Sequence, residues 1–115
     1  MKFPKEIKLG CFTIKIKILD SSLAYEVAEQ QGSYLEKTNT IYLSEDIFDD
    51  AERAVHVVFH ELCHAIYSQY SLKDKDEETV VNSFANGITE LLTRTQLLQW
   101  INHKVKRRHN DKKKT

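Results

Sequence analysis

The apolar residues of this chain change their spacing once, after Ser44, and that change restricts it to a mixed fold. Before it, Phe12, Ile14, Ile16 and Ile18 alternate with Thr13, Lys15 and Lys17, the period of two of a half-buried strand. Ile7 to Leu9 can pair with that strand across Gly10, and Ser33 to Glu36 with Thr40 to Ser44 around Lys37-Thr38-Asn39 reads as a second hairpin. Ser21 to Gln31 reads as a strand or an irregular connection. After Ser44, the positions Ala51, Val55, Val58, Leu62, Ala65 and Ile66 recur at steps of three and four, which predicts a helix from Asp49 to about Tyr70. Asp49 and Asp50 stand where acidic groups favour the positive end of the helix dipole. A polar connection, Ser71 to Asp76, leads to a second helix from about Asp76 to at least Trp100, with Val81, Phe84, Ala85, Ile88, Leu91 and Leu92 on one side. The expected fold class is α+β: a small antiparallel or mixed twisted sheet in the N-terminal half, followed by two long helices.

A chain of 115 residues can build one core but has no room for a separate cofactor-binding lobe. Its formal net charge of zero conceals an uneven distribution. Residues 1–102 hold 10 basic and 16 acidic side chains, a net of −6, whereas residues 103–115 hold 7 basic and 1 acidic, a net of +6. The expected organisation is therefore a single domain over 1–102 and a flexible basic tail over 103–115, the tail being the one feature that could meet nucleic acid. Lys2, Lys5 and Lys8 have no apolar run behind them, so neither a signal peptide nor a membrane span is expected, and the expected location is cytoplasmic. The two cysteines, Cys11 and Cys63, read as reduced thiols.

The chemistry is concentrated in His60-Glu61-Leu62-Cys63-His64, an HExxH motif in the middle of the first helix. Two imidazoles four residues apart lie about 40° from each other on one helical face, so their nitrogens can converge on one ion. They point roughly 160° away from Leu62, outside the apolar stripe, where core-filling histidines would not stand. Cys63 falls about 60° or more from both and reads as a packed thiol; His56, about 40° from His60 on the far side, reads as a surface histidine. A catalytic zinc needs a third protein ligand and an open position. Downstream candidates are Glu77, Glu78 and His103; periodicity sets Glu77 in line with Val81 and Phe84 and sets Glu78 at the stripe border beside Asn82 and Ala85, leaving both open. Tyr25, Tyr34, Tyr42, Tyr67, Tyr70 and His103 are candidate oxyanion stabilisers, and Phe48 and Trp100 read as packing residues.

At Glu78-Thr79-Val80-Val81-Asn82-Ser83-Phe84-Ala85 the chain resembles the glutamate helix of the gluzincin metallopeptidases, the clan of thermolysin, and in size it is similar to the small ImmA/IrrE-like metallopeptidases of phages and mobile elements. The resemblance spans about residues 40–92 and is carried by the two motifs. It implies zinc ligands at His60, His64 and Glu78, a general base at Glu61, and at Asn82 a partner that orients a ligand imidazole. Two positions depart from the pattern: Val81 is larger than the usual small residue, and Asn82 accepts a hydrogen bond more weakly than the commoner Asp. The resemblance also implies that the strand Thr40 to Ser44 is an edge along which an extended peptide binds by strand addition.

The expected function is that of a zinc metallopeptidase acting on a protein or peptide, a regulatory protein being a plausible substrate by family resemblance, in the host cytoplasm if phage-encoded. The alternative is a non-catalytic or latent zinc module that binds a regulatory partner, with the tail or a second copy of the chain blocking the cleft. Retention of Glu61 and the count of three strong ligands rather than four favour the enzyme.

Overall fold

The computed structural model describes residues 3–20 and 31–104. Most of the segment 21–31, the last residues of the basic tail and Tyr25 fall outside the described residues. Four strands, β1 (Glu6–Leu9), β2 (Phe12–Leu19), β3 (Gly32–Leu35) and β4 (Thr40–Ser44), form one mixed sheet in the order β1-β2-β4-β3. Both expected hairpins form: β1 runs antiparallel to β2 through the turn at Gly10, whose φ is +63°, and β3 runs antiparallel to β4 around a 3-10 turn at Glu36–Thr38. The two hairpins join through a parallel pairing of β2 with β4, which sets Ile16 beside Ile41 and Ile18 beside Leu43.

This pairing corrects one expectation. The strand Thr40–Ser44 is not an edge; it is paired on both sides, and β3 is the outer strand on that side of the sheet among the described residues. Local alternation determines which face of a strand is buried, but the identity of its neighbour is a long-range choice that alternation does not encode.

Helix α1 (Ala51–Gln69) begins after a second 3-10 turn, Glu45–Asp49, and ends at Tyr70, with Ser71 at a φ of +52°. Its buried face consists of Ala54, Val57, Val58, Leu62, Ala65 and Ile66, together with Glu61. These side chains cover the inward residues of the sheet, Ile7, Leu9, Ile14, Ile16, Ile41 and Leu43, all nearly inaccessible to solvent. Burial of each such aliphatic side chain is worth about 1.5–3 kcal/mol.

Helix α2 (Glu77–Arg94) starts where the Asp76 carboxylate accepts the Thr79 N–H at 2.8 Å. It buries only Gly87 and Leu91 fully, with Phe84 and Ile88 half-buried. Val81 and Ala85, expected on the apolar side, are exposed, Val81 by 54%. The close approach to α1 is made through Gly87, where a Cβ would stand 3.0 Å from Ile66 Cγ1 and Cδ1. In the first turns of α2, Glu77, Glu78, Thr79, Val81 and Asn82 are exposed.

The second helix does not run unbroken to Trp100. Thr95 adopts extended backbone (φ −124°, ψ 176°), its hydroxyl bonds back to the Leu91 carbonyl, and it accepts the Leu97 N–H at 3.1 Å. A separate helical segment, α3 (97–104), follows. The hydroxyl thus satisfies one helix end and opens the next, a competition with the backbone that Thr performs readily. The break turns Trp100 into the core, edge-on to Phe3 at 4.8 Å and to Phe48 at 6.2 Å. Among the described residues no helix is long and apolar enough to cross a membrane.

Candidate metal centre

The middle of α1 carries the expected site. His60 and His64 are exposed, on the side of the helix away from the core, and their ring centres lie 5.0 Å apart. Two imidazoles on a tetrahedral ion, with metal–nitrogen bonds of about 2.0–2.1 Å, hold their ring centres about 5 Å apart. His60, Glu61 and His64 each offer a ligand atom, and these atoms lie within 4.8 Å of one another. The donor set fits a zinc ion and would also accept other first-row divalent ions. His56 is exposed, with its ring 6.2 Å from that of His60 and outside the convergent group, in keeping with its reading as a surface histidine.

Glu61 differs from its two neighbours in being 4% exposed. One turn position from His60, it falls between the histidine face and the core face, and the Gly32 backbone of β3 closes over it: a Cβ at Gly32 would stand 3.2 Å from Glu61 Cγ and 3.4 Å from Oε2. Burial pushes its carboxyl above the ordinary carboxylate range, while the charges of His60 and His64 pull it down. Cys63, on the same turn, is half-buried, and burial raises its thiol pKa as expected of a packed thiol.

Around this group opens a cleft of about 730 Å³. One wall is the β3–β4 hairpin, contributing Ser33, Tyr34 and Glu36; the floor is α1, through His60, Glu61, His64 and Tyr67; the far wall is the loop after α1, with Lys73 and Lys75. Tyr34 is half-buried, and its hydroxyl donates to Asn39 Oδ1 at 2.7 Å. Its pKa is raised, first by burial and further by the Glu36 charge, against hydrogen bonds with Ser68 and Gln69 that lower it. Of the candidate oxyanion stabilisers, Tyr34 and Tyr67 line the cleft, while Tyr42, Tyr70 and His103 do not.

Glu78 is not brought into the convergent group. It is exposed on the first turn of α2, outside the cleft wall, and its Oε1 accepts from Asn82 Nδ2 at 3.4 Å. Asn82 thus engages the expected ligand carboxylate rather than an imidazole. Glu77 is likewise exposed and outside the group. Sequence reasoning passed over Gly32, Glu36, Lys73 and Lys75. The signal for Gly32 was present, since a glycine at the start of a strand marks a close backbone approach; nothing in the local pattern could place the other three.

No known family, curated protein or solved structure matches this chain.

Proposed function

We propose that this protein is a zinc-dependent metallopeptidase that hydrolyses peptide bonds in a protein or peptide substrate, with Glu61 as general base. One observation carries the reading. A nearly buried carboxylate sits beside two convergent imidazoles on the floor of an open cleft. A carboxylate held next to two imidazoles in a cleft is placed to accept a proton from a water bound there.

His60 and His64 would hold the ion, with Glu78 as the third protein ligand by resemblance and one position left open. Its exposed side chain is not locked by packing, so its rotamer can change on the fast timescale of surface groups. Zinc, when bound, supplies a Lewis acid that polarises the scissile carbonyl and makes water more acidic. Glu61 accepts a proton from the attacking water and delivers it to the amine nitrogen as the C–N bond breaks. Tyr67, which lines the cleft, is the tyrosine available to the developing oxyanion, the Tyr34 hydroxyl being given to Asn39. The outer edge of β3 offers backbone groups alongside the site to an extended substrate, a role that resemblance had given to β4.

The test is elemental analysis of untagged protein and of Glu78→Ala, both dialysed without chelator, followed by casein cleavage with Glu61→Gln as control. About one zinc per chain in the unaltered protein and much less in Glu78→Ala is expected. Cleavage should fall on the order of 10²–10⁴-fold in Glu61→Gln with zinc retained. Equal zinc in both proteins moves the third ligand to Glu77 or elsewhere; no zinc in either after zinc is added ends the metallopeptidase reading.

A further inference from the structure

Six consecutive charged residues, Lys73, Asp74, Lys75, Asp76, Glu77 and Glu78, run through the loop between α1 and α2 into the first turn of α2. Only the two lysines line the cleft. The selection is made by the backbone. Leu72 is 2% exposed, and its N–H bonds to the Tyr67 carbonyl at 3.0 Å, which anchors the start of the loop in the core. The Lys75 N–H closes back onto the Leu72 carbonyl at 3.1 Å, and Asp74 between them takes a left-handed φ of +64°. Lys73 and Lys75, on either side of Asp74, line the cleft. Asp76 is occupied at the start of α2, accepting the Thr79 N–H.

The result runs against the charge of the body, whose residues 1–102 carry a net of −6. Glu36, on the β3–β4 hairpin, and Glu61, on α1, are the carboxylates that line the cleft among the described residues. Two lysines balance them, so a divalent ion held by the histidines and Glu78 would leave the cleft positive by one charge. Cationic walls in a confined cleft concentrate anionic ligands and fix their orientation.

We propose that Lys73 and Lys75 are specificity-determining residues: they form a basic wall that selects peptides carrying an acidic residue on the side of the bound chain facing the α1–α2 loop. The inference rests on the peptidase reading for its biological role, but the selectivity belongs to binding and is measured without turnover.

Two degenerate decapeptide pools with the same neutral fluorophore serve as probes, one containing Glu with Ala, Leu, Ser and Tyr, the other with Gln in place of Glu. Anisotropy titrations use zinc-supplemented full-length Glu61→Gln protein, with and without Lys73→Gln and Lys75→Gln. The Glu pool should bind about three- to tenfold more tightly, the range given by one or two exposed charge pairs. That preference should disappear in the lysine variant and shrink in 0.5 M salt, where charge interactions are screened within a few ångströms. Equal affinity for the pools, no binding of either, or a preference that survives both lysine substitutions overturns the proposal. Thermal melts of the variant, expected to be unchanged because both lysines are exposed, confirm that its fold is intact. Incubating the pools with unaltered protein separates the two readings: preference without cleavage removes the peptidase and keeps the basic wall, and cleavage without preference does the reverse.

Discussion

Gly32 on β3 lies directly against Glu61 on α1, with no room between them for a side chain: a Cβ on Gly32 would be 3.2 Å from Glu61 Cγ and 2.9 Å from Val57 Cγ1. Register explains the contact. Gly32 pairs with Leu43, and both belong to the inward layer of the sheet, which α1 covers. Only a residue without a side chain lets the strand close over the carboxylate.

Gly32→Ala should therefore destabilise the protein by about 1–3 kcal/mol, the usual cost of overpacking a close-packed contact. Urea denaturation followed by circular dichroism measures it. A loss below about 0.5 kcal/mol, the level of an ordinary surface substitution, would mean that β3 yields and does not clamp Glu61.

Asn39 ties the hairpin to the end of α1. Its Oδ1 accepts from Tyr34 Oη at 2.7 Å and from Gln69 Nε2 at 3.0 Å, and its Nδ2 donates to the Thr13 carbonyl at 2.8 Å. Its backbone is left-handed, φ 51° and ψ 49°. Asn39→Gly keeps the backbone and removes the bonds, at a cost of about 1–3 kcal/mol. Asn39→Ala should cost roughly 1–2 kcal/mol more, because a Cβ disfavours the left-handed region without an amide to compensate. Equal stability of the two variants would contradict the second contribution.

The two thiols should be chemically distinct. Cys11 is exposed in the β1–β2 turn, whereas Cys63 is half-buried and its pKa is raised by burial, so less of it is thiolate at a given pH. Iodoacetamide at pH 8 should modify Cys11 first, with Cys63 about tenfold slower or more in the native protein, and both at similar rates in denaturant. Peptide mass spectrometry resolves the sites. Similar rates in the native state would refute the protection of Cys63.

Acid should weaken the start of α2. The Thr79 hydrogen bonds hold the Asp76 carboxyl below its ordinary value of 3.8. A folded-state pKa below the unfolded one means stability that is present above pH about 4 and lost as pH falls through the depressed value. Asp76→Ala should melt at a lower temperature than the unaltered protein at pH 7, and the gap should close as pH drops below about 4. A gap independent of pH would show that the cap does not depend on charge.

The residue pattern by itself determined the α+β class, both hairpins, the span of α1 and the placement of His60 and His64 outside the core, because each follows from side chains a few positions apart on one element. The tertiary structure decided what depends on neighbours distant in sequence. The parallel union of β2 with β4 made β3, not β4, the outer strand beside the site among the described residues. Helix α2 meets α1 at Gly87 and Ile66, and Glu78, which its wheel position had placed at the stripe border, is exposed and outside the convergent group. A left-handed turn selected two lysines from a run of mixed charge for the cleft wall. Periodicity specifies which way a side chain faces on its own element. What it faces is set by packing and backbone turns that bring remote segments together.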